Sequence, residues 1–181
     1  MPLARLFRAV RHGQLPSEVR RLAGLPARER VLAHGRATDG TWLVGTPAAL
    51  VVLRGDDPRR LSWAGIQEVG WNDEEQRLTV TEVGSFGERR SVHSFQLEEQ
   101  GLLLQLVRER VQASIVLQRR VSLGRRRGFT VIGRRGENGA IAWMVEYDAG
   151  VQPDDPEVSR SVEEALAAAR QDVGETGDPS I

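Results

Sequence analysis

Cysteine is absent from the sequence. Disulfide staples, thiolate zinc sites and cysteine nucleophiles are excluded together. Lysine is absent too, so all 25 basic residues are arginine. Schiff-base chemistry and the lysine of a phosphate-binding loop are therefore excluded. An arginine-only basic set is what GC-rich codon usage yields. No apolar run approaches a membrane span; the longest is Ala48 to Leu53. Arg5, Arg8 and Arg11 interrupt any apolar signal-peptide core near the N-terminus. The cytoplasm is the expected compartment.

What is present is ordinary globular composition, with 40% hydrophobic and 28% charged residues. A chain of 181 residues suggests one domain with an appendage or two small ones, large enough to bury a core unaided. Net charge is zero but segregated. Residues 1–36 hold eight arginines against two acids, and residues 37–117 eight against twelve. Residues 118–145 hold seven against one, and residues 146–181 two against ten. A basic block followed directly by an acidic one is expected to cancel within the fold.

Leu3, Leu6, Phe7 and Val10 follow helical spacing, with arginines on the other side. A second short helix is expected over Pro16 to Ala23, stopped by Gly24 and Pro26. Strand patterns then follow in close succession: Arg30 to Ala37, Thr41 to Gly45, Ala48 to Arg54, Arg60 to Ala64, Ile66 to Trp71, Leu78 to Val83 and Arg89 to Leu97. Turn signals separate them, among them Asp39-Gly40 and the run Gly55 to Pro58. Regular short strands predict a barrel or sandwich. A helix is expected from about Glu98 to Ala113, with Leu103, Leu106, Val107 and Val111 as its apolar stripe and two acids in its first turn. Ile115 to Leu123 reads as strand or continued helix, with the β-branched pair Ile115-Val116 favouring strand. Phe129 to Arg135 and Ala140 to Asp148 form a hairpin around Asn138-Gly139. Asp154-Asp155-Pro156 starts the last helix, whose buried face is Val158, Val162, Leu166, Ala169 and Val173, with Gly174 as its stop.

Three stretches in order carry a family likeness. They are Leu25 to Leu32; Thr41-Trp42-Leu43-Val44-Gly45-Thr46 with Ala49 to Leu53; and Arg60-Leu61-Ser62-Trp63-Ala64-Gly65-Ile66, before the helix from Glu98. Residues 25–114 thereby resemble bacterial pleckstrin-homology-like domains. The Arg-rich strand and Asp-Asp-Pro helix start are similar to those of actinobacterial proteins for which no activity can be carried over. The resemblance implies an antiparallel β-barrel closed by a helix over residues 25–114, and the residue patterns after it add a small antiparallel sheet plus C-terminal helix, an α+β protein in all. The divisions are then 1–24, a helical segment; 25–114, the barrel; 115–174, the small sheet and helix; and 175–181, a tail. Eukaryotic lipid-binding members gather basic residues around the first hairpin. Here that hairpin offers Arg36, then Thr38, Asp39 and Gly40, a poor polyphosphate cradle. The closing helix also lacks the tryptophan of many eukaryotic members. The resemblance thus implies fold, and a binding role by analogy.

No catalytic, cofactor or metal site is expected. His12, His34 and His93 show no metal-ligand spacing. Ser91 and His93 share a strand face, but no nucleophile-turn signature accompanies them. The acidic pairs lie in turns and caps, and the glycines among Arg125 to Gly139 match no nucleotide fingerprint. Two binding surfaces remain. One is the first helix, through Leu3, Leu6, Phe7 and Val10, set against the plainer reading that it docks on its own barrel or on a second copy. The other is an anionic-surface contact through Arg119, Arg120, Arg125, Arg126, Arg127, Arg134 and Arg135, near Phe129 and Trp143. Its plainer reading places the aromatics in the core and the arginines against the acidic last helix. The expectation is a non-enzymatic binding or scaffold protein contacting another protein, with a homodimer also allowed. A binder of anionic membrane lipid or nucleic acid is the alternative, and a hydrolase-like enzyme comes third.

Overall fold

The computed structural model describes residues 14–84, 89–99, 101–124 and 126–175. The candidate contact residues Leu3, Leu6, Phe7 and Val10, and Arg125, lie outside them. The chain is α+β, with three antiparallel sheets and helices.

The first sheet runs β1 (Ala33–Arg36), β2 (Trp42–Gly45), β3 (Ala49–Arg54), β4 (Asp57–Ser62), in that spatial order. β3 is buried along all but its last residue, which explains the long apolar run. Its inward residues Leu50 and Val52 join Leu43 in the main core. Its outward residues Val51 and Leu53 pack with Val44 under the short helix α1 (Ser17–Leu22). The turn before β4 is tighter than expected. It occupies Gly55 and Asp56, with Gly55 at φ +60, and Arg54 pairs with Asp57. Pro58 therefore sits within β4, an outer strand that tolerates the missing N–H.

The second sheet runs β5 (Ile66–Asn72), β6 (Arg77–Glu82), β7 (Val92–Gln96). A 3₁₀ turn, Trp63–Gly65, carries the chain from β4 into it. The expected closed barrel does not form among the described residues. The ladder is interrupted at that turn, and the two sheets meet elsewhere at a single bridge, Ala37 with Leu97. The Thr38 N–H to Gln96 carbonyl and Glu98 N–H to Arg36 carbonyl bonds flank it. Because Glu98 still bonds to β1, the helix expected from that residue starts later, as α2 (Gly101–Ser114). Glu98 and Glu99 thus precede it and do not occupy its first turn.

α2 covers the core between β1, β2, β5 and the 3₁₀ turn. Leu103, Val107 and Val111 are buried as expected, while Leu106 is only half-buried and Leu104 joins them. Two glycines permit this close approach. A Cβ on Gly35 or Gly45 would overlap Leu103 or Leu106 respectively.

The third sheet has β9 (Arg127–Arg135) between β8 (Ile115–Gly124) and β10 (Ile141–Tyr147). Ile115 to Leu123 is thus strand, as the β-branched start suggested. Gly139 alone adopts positive φ in the β9–β10 loop, at +82. α3 (Pro156–Asp172) lies on this sheet over Phe129 and Val131, with Ala169 fully buried. The Asp155 carboxylate accepts the Glu157 N–H at 2.8 Å, and Pro156 opens the helix, as its sequence indicated.

Candidate functional site

An open groove of about 880 Å³ runs along β1. One wall is the segment Ala27 to Arg36, with Trp42 behind it on β2. Glu98, Glu99, Gly101 and Leu102 also line the groove, as do Gln14 and Leu15. The groove exists because β1 is an outer strand whose free side is engaged at its C-terminal end by the 96–98 segment, which then turns away into α2. Leu102, in the first turn of α2, is 47% exposed at the rim.

The wall is held rigidly. The Arg20 guanidinium reaches back from α1 and donates to the carbonyls of Pro26, Ala27 and Glu29, at 2.8, 3.2 and 2.6 Å. Glu29 accepts a two-pronged bond from Arg60, at 3.2 and 2.6 Å. That bond holds the Glu29 carboxyl below its ordinary range and Arg60 above its own, despite the opposing cost of partial burial. Arg36 lies over the Trp42 ring, 5.7 Å from its centroid, and His34 meets the same ring at 5.8 Å.

Ion pairing engages only some of the arginines among the described residues, and the rest lie in the groove and outside it alike. Arg54, Arg59, Arg60, Arg77, Arg119 and Arg120 each pair with a carboxylate. Arg28, Arg30 and Arg36 are exposed on one wall and form no ion pair among the described residues.

The arginine group expected to meet anions is largely spent internally. Arg119 pairs with Asp172 and Arg120 grips Asp148 with both prongs. Arg127 and Arg135 donate to the Gly150 and Gly139 carbonyls at 3.1 and 3.4 Å. Arg126 is exposed, at positive φ in the β8–β9 hairpin. Arg134 corrects the surface reading outright, being only 3% exposed. Its guanidinium donates to the Val111 carbonyl at 3.2 Å, the Ser114 hydroxyl at 2.9 Å and the Gln67 carbonyl at 3.0 Å. It caps the C-terminus of α2 and ties β5 to β9. Burial lowers its pKa, and nearby Glu146 opposes that shift. Phe129 is fully buried, and Trp143 covers Gly133 while donating to Glu175 at 2.9 Å. Both belong to packing, not to a stacking platform.

Glu82 receives Arg59 from β4 and His93 from β7, each at 2.6 Å. Neither Ser91 nor His93 lines the groove or the smaller cleft of about 360 Å³ between the second and third sheets. That cleft is polar, lined by Gln67, Glu68, Arg90 and Glu146 among others. The described residues hold no cluster of three potential metal ligands and no helix long and apolar enough to cross a membrane.

Sequence reasoning missed the groove because its members come from four separated segments. The available signal was the exposed Arg28, Arg30 and Arg36, with the half-buried His34, crowded around one short strand. Comparison with known proteins finds no match: no family model fits the chain, and no curated protein or solved structure is detectably similar to it.

Proposed function

We propose that this chain is a non-enzymatic binding or scaffold protein, and that the groove along β1 is its contact surface for another protein. The observation that carries the reading is the groove itself. Among the described residues it combines an aromatic ring and three cations without ion-pair partners on a wall braced by Arg20 and Arg60, with an exposed leucine at its rim. Rigid walls lower the ordering cost of binding, and a rim that mixes apolar and charged groups suits a protein partner.

The order of four strands, three strands and a covering helix supports a pleckstrin-homology-like architecture beneath this surface. Such a frame would leave function to the loops and edges around it. The alternative of anionic lipid or nucleic acid at the arginine-rich third unit has little left to work with. Arg119 and Arg120 are already neutralised, and Arg134 is inside.

The test is a photo-crosslinking amino acid at position 102, compared with one at the exposed position 163 on α3. Expressed in the native host, the first should give one dominant protein adduct and the second none. Absence of an adduct at 102, or the same adducts from both positions, would remove the groove as the contact surface.

A further inference from the structure

We infer that the occupant of the groove is an extended acidic segment of a partner protein. The inference rests on the groove being the contact surface and adds the chemistry of what it takes. Arg20, Arg28, Arg30 and Arg36 line it against Glu98 and Glu99, while Glu29 is already neutralised by Arg60. The excess is two positive charges, concentrated on the β1 wall. Arg20 is committed to backbone carbonyls, so Arg28, Arg30 and Arg36 are the cations open to a ligand. Guanidinium forks match carboxylates in geometry. Leu102 and Trp42 offer apolar contact between them.

Two other occupants fit less well. The chain's own first thirteen residues precede Gln14 and Leu15 in sequence, and those two line the groove. They carry Arg5, Arg8 and Arg11 and no acid, so they would add charge of the sign already in excess. A nucleic-acid backbone would have to lie beside Glu98 and Glu99, which line the same groove, at a site without the broad basic stripe such ligands need. A peptide can instead place carboxylates on one side and leave the other side uncharged. Arg30 and Arg36 are six residues apart along an extended stretch, roughly 20 Å at about 3.3 Å per residue. A partner segment of similar length therefore suits the wall.

The test is selection of a random peptide library displayed on phage against the full chain, repeated with an R30E/R36E variant. Selected sequences should be net acidic and interspersed with apolar residues. Synthesised singly, they should bind the variant at least about tenfold more weakly, with its melting temperature little lowered, because both side chains are exposed and the Arg36–Trp42 contact is the one lost. The same peptides should bind a chain lacking residues 1–13 at least as tightly. Enrichment of neutral or basic sequences, no enrichment, or equal binding to the variant would overturn the inference. Tighter binding confined to the truncated chain would show that the N-terminal segment competes for the groove. A crosslink at position 102 to a partner lacking any acidic segment would sink this inference and leave the contact surface standing.

Discussion

Arg134 is the residue on which the two halves of the molecule most depend. A buried guanidinium without a hydrogen-bonded carboxylate is costly. Here the cost is offset by three acceptors, two of them at the end of α2, where carbonyls lack helical partners. Removing it withdraws a donor from each, leaving the Val111 carbonyl with the Ser114 hydroxyl at 2.7 Å, although the desolvation cost is recovered. R134A should lower unfolding free energy by about 2–3 kcal/mol, read from urea denaturation. R134K should recover little, because an ammonium cannot serve three separated acceptors as a planar fork does. A full rescue by lysine would mean that charge alone matters there. Glu29 makes a prediction of the opposite polarity. Its folded-state pKa lies below the ordinary value of 4.5 because Arg60 bonds the carboxylate. The stability it contributes is present above that value and is lost as pH falls through the depressed folded value. Melting temperature measured from neutral pH downward should therefore fall less steeply below about 4.5 in E29Q than in the wild type.

At the scale of elements, the glycines beneath α2 set how closely it can approach the first sheet. An alanine at Gly35 would meet Leu103, which is fully buried and has no room to yield. An alanine at Gly45 would meet Leu106, which is half-exposed and can swing aside. G35A should cost about 1–3 kcal/mol and G45A clearly less, both measured by thermal unfolding. Equal costs would show that the helix shifts as a body. Elements with strong local signals were legible from sequence. Asp155-Pro156 capped α3 as its residues indicate, and the Ile115-Val116 pair gave strand. The start of α2 was not legible, because it depends on Glu98 bonding to β1, a partner more than sixty residues away. Pro58 looked like a turn residue, and only its position on an outer strand lets it remain in the ladder.

For the whole molecule, charge segregation along the chain resolves only in part into internal pairing. The basic 118–145 block meets the acidic segment after it through Arg119–Asp172 and Arg120–Asp148. That cancellation was readable from sequence, whereas the burial of Arg134 was not, since nothing in a string of arginines marks the one that faces inward. The two halves are joined by Arg134 and by the Gln67 amide donating to Glu146 at 2.5 Å. The groove lies along the edge of β1. Its legibility was low because position along the chain does not reveal which arginines keep a carboxylate partner. Hydrogen exchange of the chain with and without its crosslinked partner tests the central claim most directly. The account predicts added protection in residues 28–36 and at 98–102, with 119–135 unchanged. Protection confined to 119–135, leaving β1 as exposed as before, would contradict it.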